Sequence, residues 1–160
     1  MALRNIVTEG DTILTKKCRP VEKFDERLWS MLDDLAETLE DSGGVGLAAP
    51  QVGILRRFCV IDVGEGAMEF INPVIVETEG EQEVQEGCLS CPGQFGIIKR
   101  PAHVKAEFYD RFGSKCEMEG DELLAQAMCH EFDHLDGVIF KSKVERMLTE
   151  EELKEMREED

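Results

Sequence analysis

The residues best suited to chemistry lie near the end of the chain, in the run Cys129-His130-Glu131-Phe132-Asp133-His134. His130 and His134 are four positions apart, so on a helix both imidazoles lie on one face and can reach the same metal ion. Glu131 follows the first histidine, where its carboxylate can take a proton from a water on that metal. The pattern His-Glu-x-x-His therefore predicts a hydrolytic metal site.

Such a site needs a third protein ligand, and the chain offers few. The remaining histidine is His103, whereas Cys88 supplies a soft thiolate. Two other interpretations stay open on spacing alone. In one, the two histidines share an exposed helix face by chance. In the other, Cys88 and Cys91 complete a closed four-ligand zinc site that has no catalytic position. Glu131 favours the hydrolytic site, because a structural zinc site has no need of a base there.

Length and composition indicate a single catalytic domain spanning residues 1–160. The chain of 160 residues is long enough for a sizeable core, and 42% of its residues are hydrophobic. No apolar run approaches the ~18 residues that a bilayer-spanning helix needs. The N-terminal segment also lacks the apolar core of a signal peptide. We therefore expect a cytoplasmic protein whose six cysteines are reduced.

The charge balance argues against two classes of partner. The chain carries 35 acidic and 18 basic side chains, for a net charge of −17. A nucleic-acid-binding domain carries a basic surface, and anionic lipid repels an acidic protein, so we expect no DNA and no membrane partner. Part of the excess lies in a short acidic tail at about 148–160. The spacing of Leu148, Leu153 and Met156 predicts an amphipathic helix there.

The hydrophobic pattern predicts early strands followed by a helix that crosses them, which is an α+β arrangement with antiparallel sheets. Asp25 is expected to cap a helix that ends at Ser42-Gly43-Gly44. Asp121 is expected to cap a second helix that reaches Leu135 and closes at Gly137. Strands are predicted over 58–63, 104–109 and about 115–118, and one further strand over 68–71 and 74–77 is interrupted by Asn72-Pro73. The segment 87–96 is expected to be shaped by the site.

Three segments belong together in order: Gly44-Val45-Gly46-Leu47-Ala48-Ala49-Pro50-Gln51, then Glu86-Gly87-Cys88-Leu89-Ser90, then His130-Glu131-Phe132-Asp133-His134. In order and spacing they resemble the three motifs of peptide deformylases. The looser similarity runs from about residue 6 to about residue 140. The resemblance implies an α+β fold in which antiparallel sheets surround a central helix that carries both histidines. It also implies a hydrolase that removes the N-formyl group from the initiator methionine of new proteins and releases formate.

The resemblance also implies roles for individual residues. The metal ligands would be Cys88, His130 and His134. The metal is usually Fe(II) in the family, and nickel, cobalt or zinc can replace it. Glu131 would move the proton during attack on the formyl group. The side-chain amide of Gln51 and the backbone N–H of Leu89 would donate hydrogen bonds to the formyl oxygen as negative charge develops on it.

Substrate binding follows from the same resemblance. The peptide would lie as an added strand beside the first motif, near Val45, Gly46 and Gly87. Cys129 is expected to line the pocket for the methionine side chain, together with Val45 and His130. The partners implied are N-formyl-methionyl nascent peptides.

The chain also departs from some relatives, and it keeps one expected ion pair. Glu86 and Arg100 match an ion pair that would brace the cysteine loop.

Phe95 stands where some relatives have an arginine that contacts the peptide. Some relatives end in a basic helix that docks on the ribosome, whereas this chain ends in an acidic one. The sequence therefore predicts no basic docking helix, and proximity to the ribosome is implied only by the nascent-chain substrate.

Overall fold

The structure is a computed structural model that describes residues 2–159, without the side chain of Glu159. Asp160, at the end of the predicted acidic tail, and Met1 lie outside the described residues. The helices are α1 (Glu26–Ser42), α2 (Glu122–Leu135) and α3 (Glu150–Glu159). The strands are β1 (Gly46–Ala48), β2 (Phe58–Ile61), β3 (Met68–Glu79), β4 (Gln82–Cys88), β5 (Cys91–Arg100), β6 (His103–Tyr109), β7 (Lys115–Asp121) and β8 (Arg146–Met147). No described helix is both long enough and apolar enough to cross a bilayer.

All strand pairs within the two sheets are antiparallel, as the sequence pattern predicted. The larger sheet has the order β1-β2-β3-β6-β7, and the smaller one has the order β4-β5-β8. The smaller sheet is built on the hairpin of β4 and β5, which turns through Leu89 and Ser90. This hairpin includes the 87–96 segment, so the part of the chain that is expected to be shaped by the site is mostly β structure.

Helix α1 begins and ends where the sequence predicted. The Asp25 carboxylate accepts a hydrogen bond from the Leu28 N–H at 3.2 Å, and Gly43 ends the helix with φ of 72°. Its apolar face packs on one side of the larger sheet, where the side chains alternate between the two faces. The cluster on that side contains Leu28, Leu32, Leu35, Leu39, Leu47, Phe58, Val60 and Ile71.

Helix α2 packs on the opposite face of the same sheet, so β2 is buried on both sides. Phe70 lies between Phe108 and Phe132, with ring centroids 4.7 Å and 5.6 Å away. Helix α2 also contacts the smaller sheet through β5. The predicted α+β arrangement, with antiparallel sheets around a helix that carries both histidines, is thus confirmed.

The interrupted strand predicted over 68–71 and 74–77 is present as β3, which continues to Glu79 and has a bulge at Asn72-Pro73. Asn72 has φ of 51°, and its side-chain amide bonds the Val21 backbone, which stabilises this conformation. Asp121 occupies the N-cap position of α2, but its side chain makes no cap hydrogen bond. Its carboxylate is paired with His103 instead.

Candidate metal centre

Three side chains from two elements converge at the centre of the molecule. His130 and His134 project from one face of α2, and Cys88 ends β4. The Nε2 atoms of the two histidines are 3.3 Å apart, and the Cys88 Sγ is 3.3 Å from His134 Nε2. All three ligand atoms lie within 4.8 Å of one another. Both histidines are buried, whereas Cys88 is partly exposed.

The geometry of this cluster fits a transition-metal ion. Two imidazole nitrogens held about 2.0–2.1 Å from a tetrahedral ion would be about 3.3 Å apart, and a thiolate would be only slightly farther from each of them. One thiolate with two imidazoles is a donor set that iron, nickel, cobalt and zinc all accept. The residues present therefore fit a single divalent ion with one position left open.

The electrostatics of the two histidines differ. Burial and, after it, the charge on His130 lower the pKa of His134 to about 3, so His134 is the neutral form that can bind a metal. Burial also acts to lower the pKa of His130, but Glu131, Cys88 and Glu86 outweigh it and raise that pKa well above its usual value. These acidic groups favour positive charge at the centre of the cluster.

Glu86 holds His130 in the orientation that a metal ligand needs. Its Oε2 lies 2.7 Å from His130 Nδ1, so this nitrogen donates and Nε2 is free to face the cluster. Arg100 donates to both Glu86 oxygens, at 3.1 Å and 2.6 Å, which is the ion pair expected from the sequence. Burial would raise the pKa of Glu86, but the bonds from His130 and Arg100 lower it to about 2. The carboxylate is therefore ionised.

The same network joins the hairpin to α2. Arg100 also donates to the Asp133 carboxylate at 2.9 Å, and Lys143 lies 3.1 Å from that carboxylate. Gln126 on α2 donates to the Glu86 Oε1 at 3.3 Å. These bonds tie β4, which carries Cys88, to the helix that carries the two histidines.

Glu131 is 4% exposed and lies beside the cluster. Its Oε2 is 3.8 Å from His130 Nε2, and its Oε1 has no hydrogen-bond partner among the described residues. Burial raises the pKa of Glu131 to about 7, with His130 acting in the opposite direction. A carboxyl with this pKa can both accept and donate a proton near neutral pH.

Gln51 is oriented toward the same cluster by backbone contacts. Its Oε1 accepts from the Ala48 N–H at 2.9 Å, which leaves the amide nitrogen pointing inward. That Nε2 lies 3.1 Å from the Ser90 Oγ and 3.5 Å from the Cys88 Sγ. Leu89 is the first residue of the turn after Cys88, so its backbone N–H is one residue from the candidate ligand.

A groove of about 520 Å³ opens onto this cluster. Val45, Gly46 and Gly87, which were predicted to contact substrate, line it together with Leu89, Phe95 and Glu131. Cys129 does not line it. It is 6% exposed and packs in the core between α2 and the larger sheet, because one helical step turns it away from His130.

One wall of the groove is a part of α2 that was not predicted from the sequence to be functional. Leu123, Gln126 and Ala127 lie seven, four and three positions before His130 and line the groove. These spacings place them on the same helix face as His130. The helical period that paired the histidines was therefore a signal that could have identified these residues.

Cys91 lies outside the cluster of candidate ligands. Among the described residues, only Cys88, His130 and His134 come close enough together to share an ion. The Cys91 Sγ is 3.9 Å from the Glu9 Oε2. Burial raises the pKa of Cys91 to about 12, with smaller contributions from Cys88 and Glu9, so it is a neutral thiol. This arrangement does not support the closed four-ligand zinc site.

Comparison with known proteins places this geometry in a family. The family model described as polypeptide deformylase matches residues 3–150. The peptide deformylase of Acetivibrio thermocellus is 56% identical over 158 residues, which cover 99% of this chain and 93% of the relative. That of Caldanaerobacter subterraneus is 54% identical and covers 99% of both chains.

Solved structures agree with the sequence comparisons. The crystal structure of peptide deformylase from Thermotoga maritima has a TM-score of 0.88 and 41% identity, covering 90% of this chain and 99% of that one. A peptide deformylase from Synechococcus elongatus, solved in complex with actinonin, has a TM-score of 0.87 and 35% identity, covering 98% of this chain and 85% of that one. The chain therefore belongs to the polypeptide deformylase family.

Proposed function

We propose that Cys88, His130 and His134 hold one divalent metal ion in this chain, and that Glu131 moves the proton in the reaction. The reaction itself is that of the family: a metal-dependent hydrolysis that removes the N-formyl group from new proteins and releases formate. The observation that carries the proposal is the convergence of one thiol and two imidazole nitrogens beside a buried carboxyl.

A formamide is a poor electrophile, so both the water and the formyl group need activation. When bound, the metal would lower the pKa of a water molecule and polarise the formyl oxygen. The Glu131 carboxylate accepts the proton of the attacking water at one of its oxygens. It then passes that proton to the nitrogen of the departing methionine. Glu131 is placed for both steps, because its Oε2 lies 3.8 Å from His130 Nε2, beside the proposed metal position.

Negative charge that develops on the formyl oxygen needs hydrogen-bond donors already in place. The Gln51 amide supplies one, because its Oε1 is held by the Ala48 N–H and its Nε2 points toward Cys88. The Leu89 backbone N–H supplies the other. Donors fixed in this way need no reorganisation during the reaction, which is the source of their catalytic effect.

The groove binds the formyl-methionyl end of the nascent peptide. We assign the peptide backbone to the edge formed by Val45, Gly46 and Gly87, where it adds as an extended strand. The methionine side chain enters the space lined by Ala127 and His130. Cys129 has no place in this assignment, because it lies in the core.

We propose Fe(II) as the working metal, with nickel, cobalt or zinc able to take its place. The support is the donor set, since a thiolate and two imidazoles suit each of these ions. We further propose that the enzyme acts in the cytoplasm on chains at the ribosome. Helix α3 carries Glu150, Glu151 and Glu152 in its first turn, so it does not provide a basic docking surface.

The test is formate release from a formyl-methionyl peptide by protein loaded anaerobically with iron or nickel. Cys88→Ser should abolish metal binding and formate release, because a thiolate is replaced by a weak neutral donor. Cys91→Ser is the matched control, since it changes the same atom three residues away and should leave metal content and turnover intact. Loss of metal from the Cys91 variant would contradict the three-ligand assignment.

A further inference from the structure

Cys88 and Cys91 stand opposite each other at the tightest turn of the smaller sheet. They are paired residues at the ends of β4 and β5, separated by Leu89 and Ser90 alone. The ladder is irregular here, with a register shift between Gly87 and Cys88, but the two residues that flank a two-residue turn have Cα atoms within about 7 Å of each other. Disulfide-linked residues usually have Cα atoms about 4.4–6.8 Å apart. The hairpin therefore holds these two cysteines at a separation suitable for a disulfide.

Their environments differ in a way that suits two separate roles. Cys88 is partly exposed and lines the groove, so small solutes can reach its sulfur. Cys91 is 1% exposed, and its Sγ lies 3.9 Å from the Glu9 Oε2. Both cysteines are free thiols.

We propose that Cys88 and Cys91 are a redox modification site, in which peroxide oxidises Cys88 and Cys91 then captures it as a reversible disulfide. The proposal rests on the metal-ligand role of Cys88 given above. Cys91 would protect the enzyme, because a sulfenic acid without a nearby thiol continues to the irreversible sulfinic and sulfonic acids.

The chemistry balances with hydrogen peroxide as the oxidant. The Cys88 thiolate attacks one peroxide oxygen, the O–O bond breaks, and the departing hydroxide takes a proton from solvent and becomes water. Cys88 is thereby oxidised to a sulfenic acid. The Cys91 sulfur then attacks the Cys88 sulfur, the S–O bond breaks, and the S–S bond forms. The thiol proton of Cys91 leaves with the hydroxyl as a second water.

The modification would switch the enzyme off without destroying it. A disulfide sulfur carries no thiolate charge, so Cys88 could no longer act as a metal ligand. Reduction by a dithiol would return both thiols and allow the metal to bind again. This behaviour is specific to a chain that has a cysteine at position 91.

The experiment compares wild-type protein, Cys91→Ser and Cys116→Ser after brief peroxide treatment of the metal-loaded and metal-free forms. Cys116 is a half-buried cysteine on β7, away from the cluster, and serves as the matched control. The readouts are peptide mapping by mass spectrometry, metal content and recovery of formate release after dithiothreitol. A second variant, Cys91→Ala, covers the case in which serine is poorly tolerated at this buried position.

In wild type and Cys116→Ser we expect a Cys88–Cys91 linked peptide, loss of metal, and recovery of at least half the activity after reduction and reloading. In both Cys91 variants we expect Cys88 as sulfinic or sulfonic acid and little recovery. Absence of the linked peptide in wild type, or equal recovery with and without Cys91, would overturn the proposal. Peptide mapping of the metal-free protein does not depend on deformylation, so its outcome is separate from that of the proposed function.

Discussion

Gly46 on β1 and Glu131 on α2 pack against each other with no space for a side chain at position 46. A β-carbon on Gly46 would lie 2.5 Å from the Glu131 Oε2 and 2.7 Å from its Cγ. Real β-carbons do not approach other atoms so closely, so one of the two residues would have to move. The glycine of the first motif thus sets the position of the carboxyl in the third.

Gly46→Ala should therefore displace the Glu131 carboxylate. We expect kcat to fall by about 10-fold or more while the metal is retained, because displacements near 1 Å are costly in catalysis. Steady-state kinetics and metal analysis measure this. If the effect acts through Glu131, Gly46→Ala should add little in a Glu131→Gln background. Full additivity of the two changes would mean that Gly46 acts by another route.

Glu131→Gln separates metal binding from proton transfer. The amide keeps the size of the side chain and removes the proton acceptor, so metal content should be unchanged. Turnover should fall by at least ~10²-fold, the usual contribution of general acid–base catalysis. The measurement is kcat on protein of verified metal content. Unchanged turnover would show that Glu131 only packs on the helix face.

Glu86→Gln should weaken both the metal site and the fold. Metal affinity should fall by about 10–100-fold, because His130 loses the carboxylate that orients it. Stability should fall by about 3 kcal/mol, because Arg100, whose side chain is 4% exposed, loses its closest buried partner. Metal titration and denaturant unfolding measure the two effects.

Asp133→Asn provides the control for this network. Asp133 contacts the other side of Arg100 and is 20% exposed. Its loss should lower stability less than the loss of Glu86 and should leave metal affinity nearly unchanged. An equal loss of metal affinity in Glu86→Gln and Asp133→Asn would argue that the network acts through Arg100. It would argue against a specific role for the hydrogen bond that His130 donates to Glu86.

His103 should make the stability of the protein depend on pH. Its Nδ1 is 2.6 Å from Asp121 and its Nε2 is 3.0 Å from Glu119, and these carboxylates, Asp121 first, raise its pKa above the usual value. A raised folded-state pKa stabilises the protein fully below the unfolded pKa of about 6.5, and this contribution is lost as pH rises through the folded pKa.

The measurement compares thermal unfolding of wild type and His103→Gln. The stability difference between them should be larger at about pH 5.5 than at about pH 9, since only the charged imidazole gains from both carboxylates. The same difference at both pH values would mean that His103 contributes through packing alone. None of His103, Glu119 and Asp121 lines the groove beside the candidate metal ligands, so activity at neutral pH should be unaffected.

Local patterns in the sequence were sufficient to predict both long helices. The Asp25 carboxylate accepts a hydrogen bond from the first turn of α1, and Gly43 ends that helix. Both effects act within a few residues, so both helix ends could be predicted without knowledge of the fold. The same holds for His130 and His134, because a spacing of four places two side chains on one helix face in any α-helix. Asp121 shows the limit of such local patterns. Its N-cap position was predicted from the sequence, but its carboxylate pairs with His103 and makes no cap hydrogen bond.

Tertiary structure decides which residue is the third candidate ligand and how the candidate site is oriented. Cys88 and Cys91 occupy the two ends of one turn, and nothing in their spacing says which thiol faces the histidines. Packing of the hairpin against α2 brings Cys88 to 3.3 Å from His134, and it leaves Cys91 beside Glu9. Gln51 is likewise aimed by the Ala48 backbone, and Cys129 is turned into the core by one helical step. Short-range periodicity determines which residues share a helix face, whereas the packing of distant segments determines which other residues contact that face.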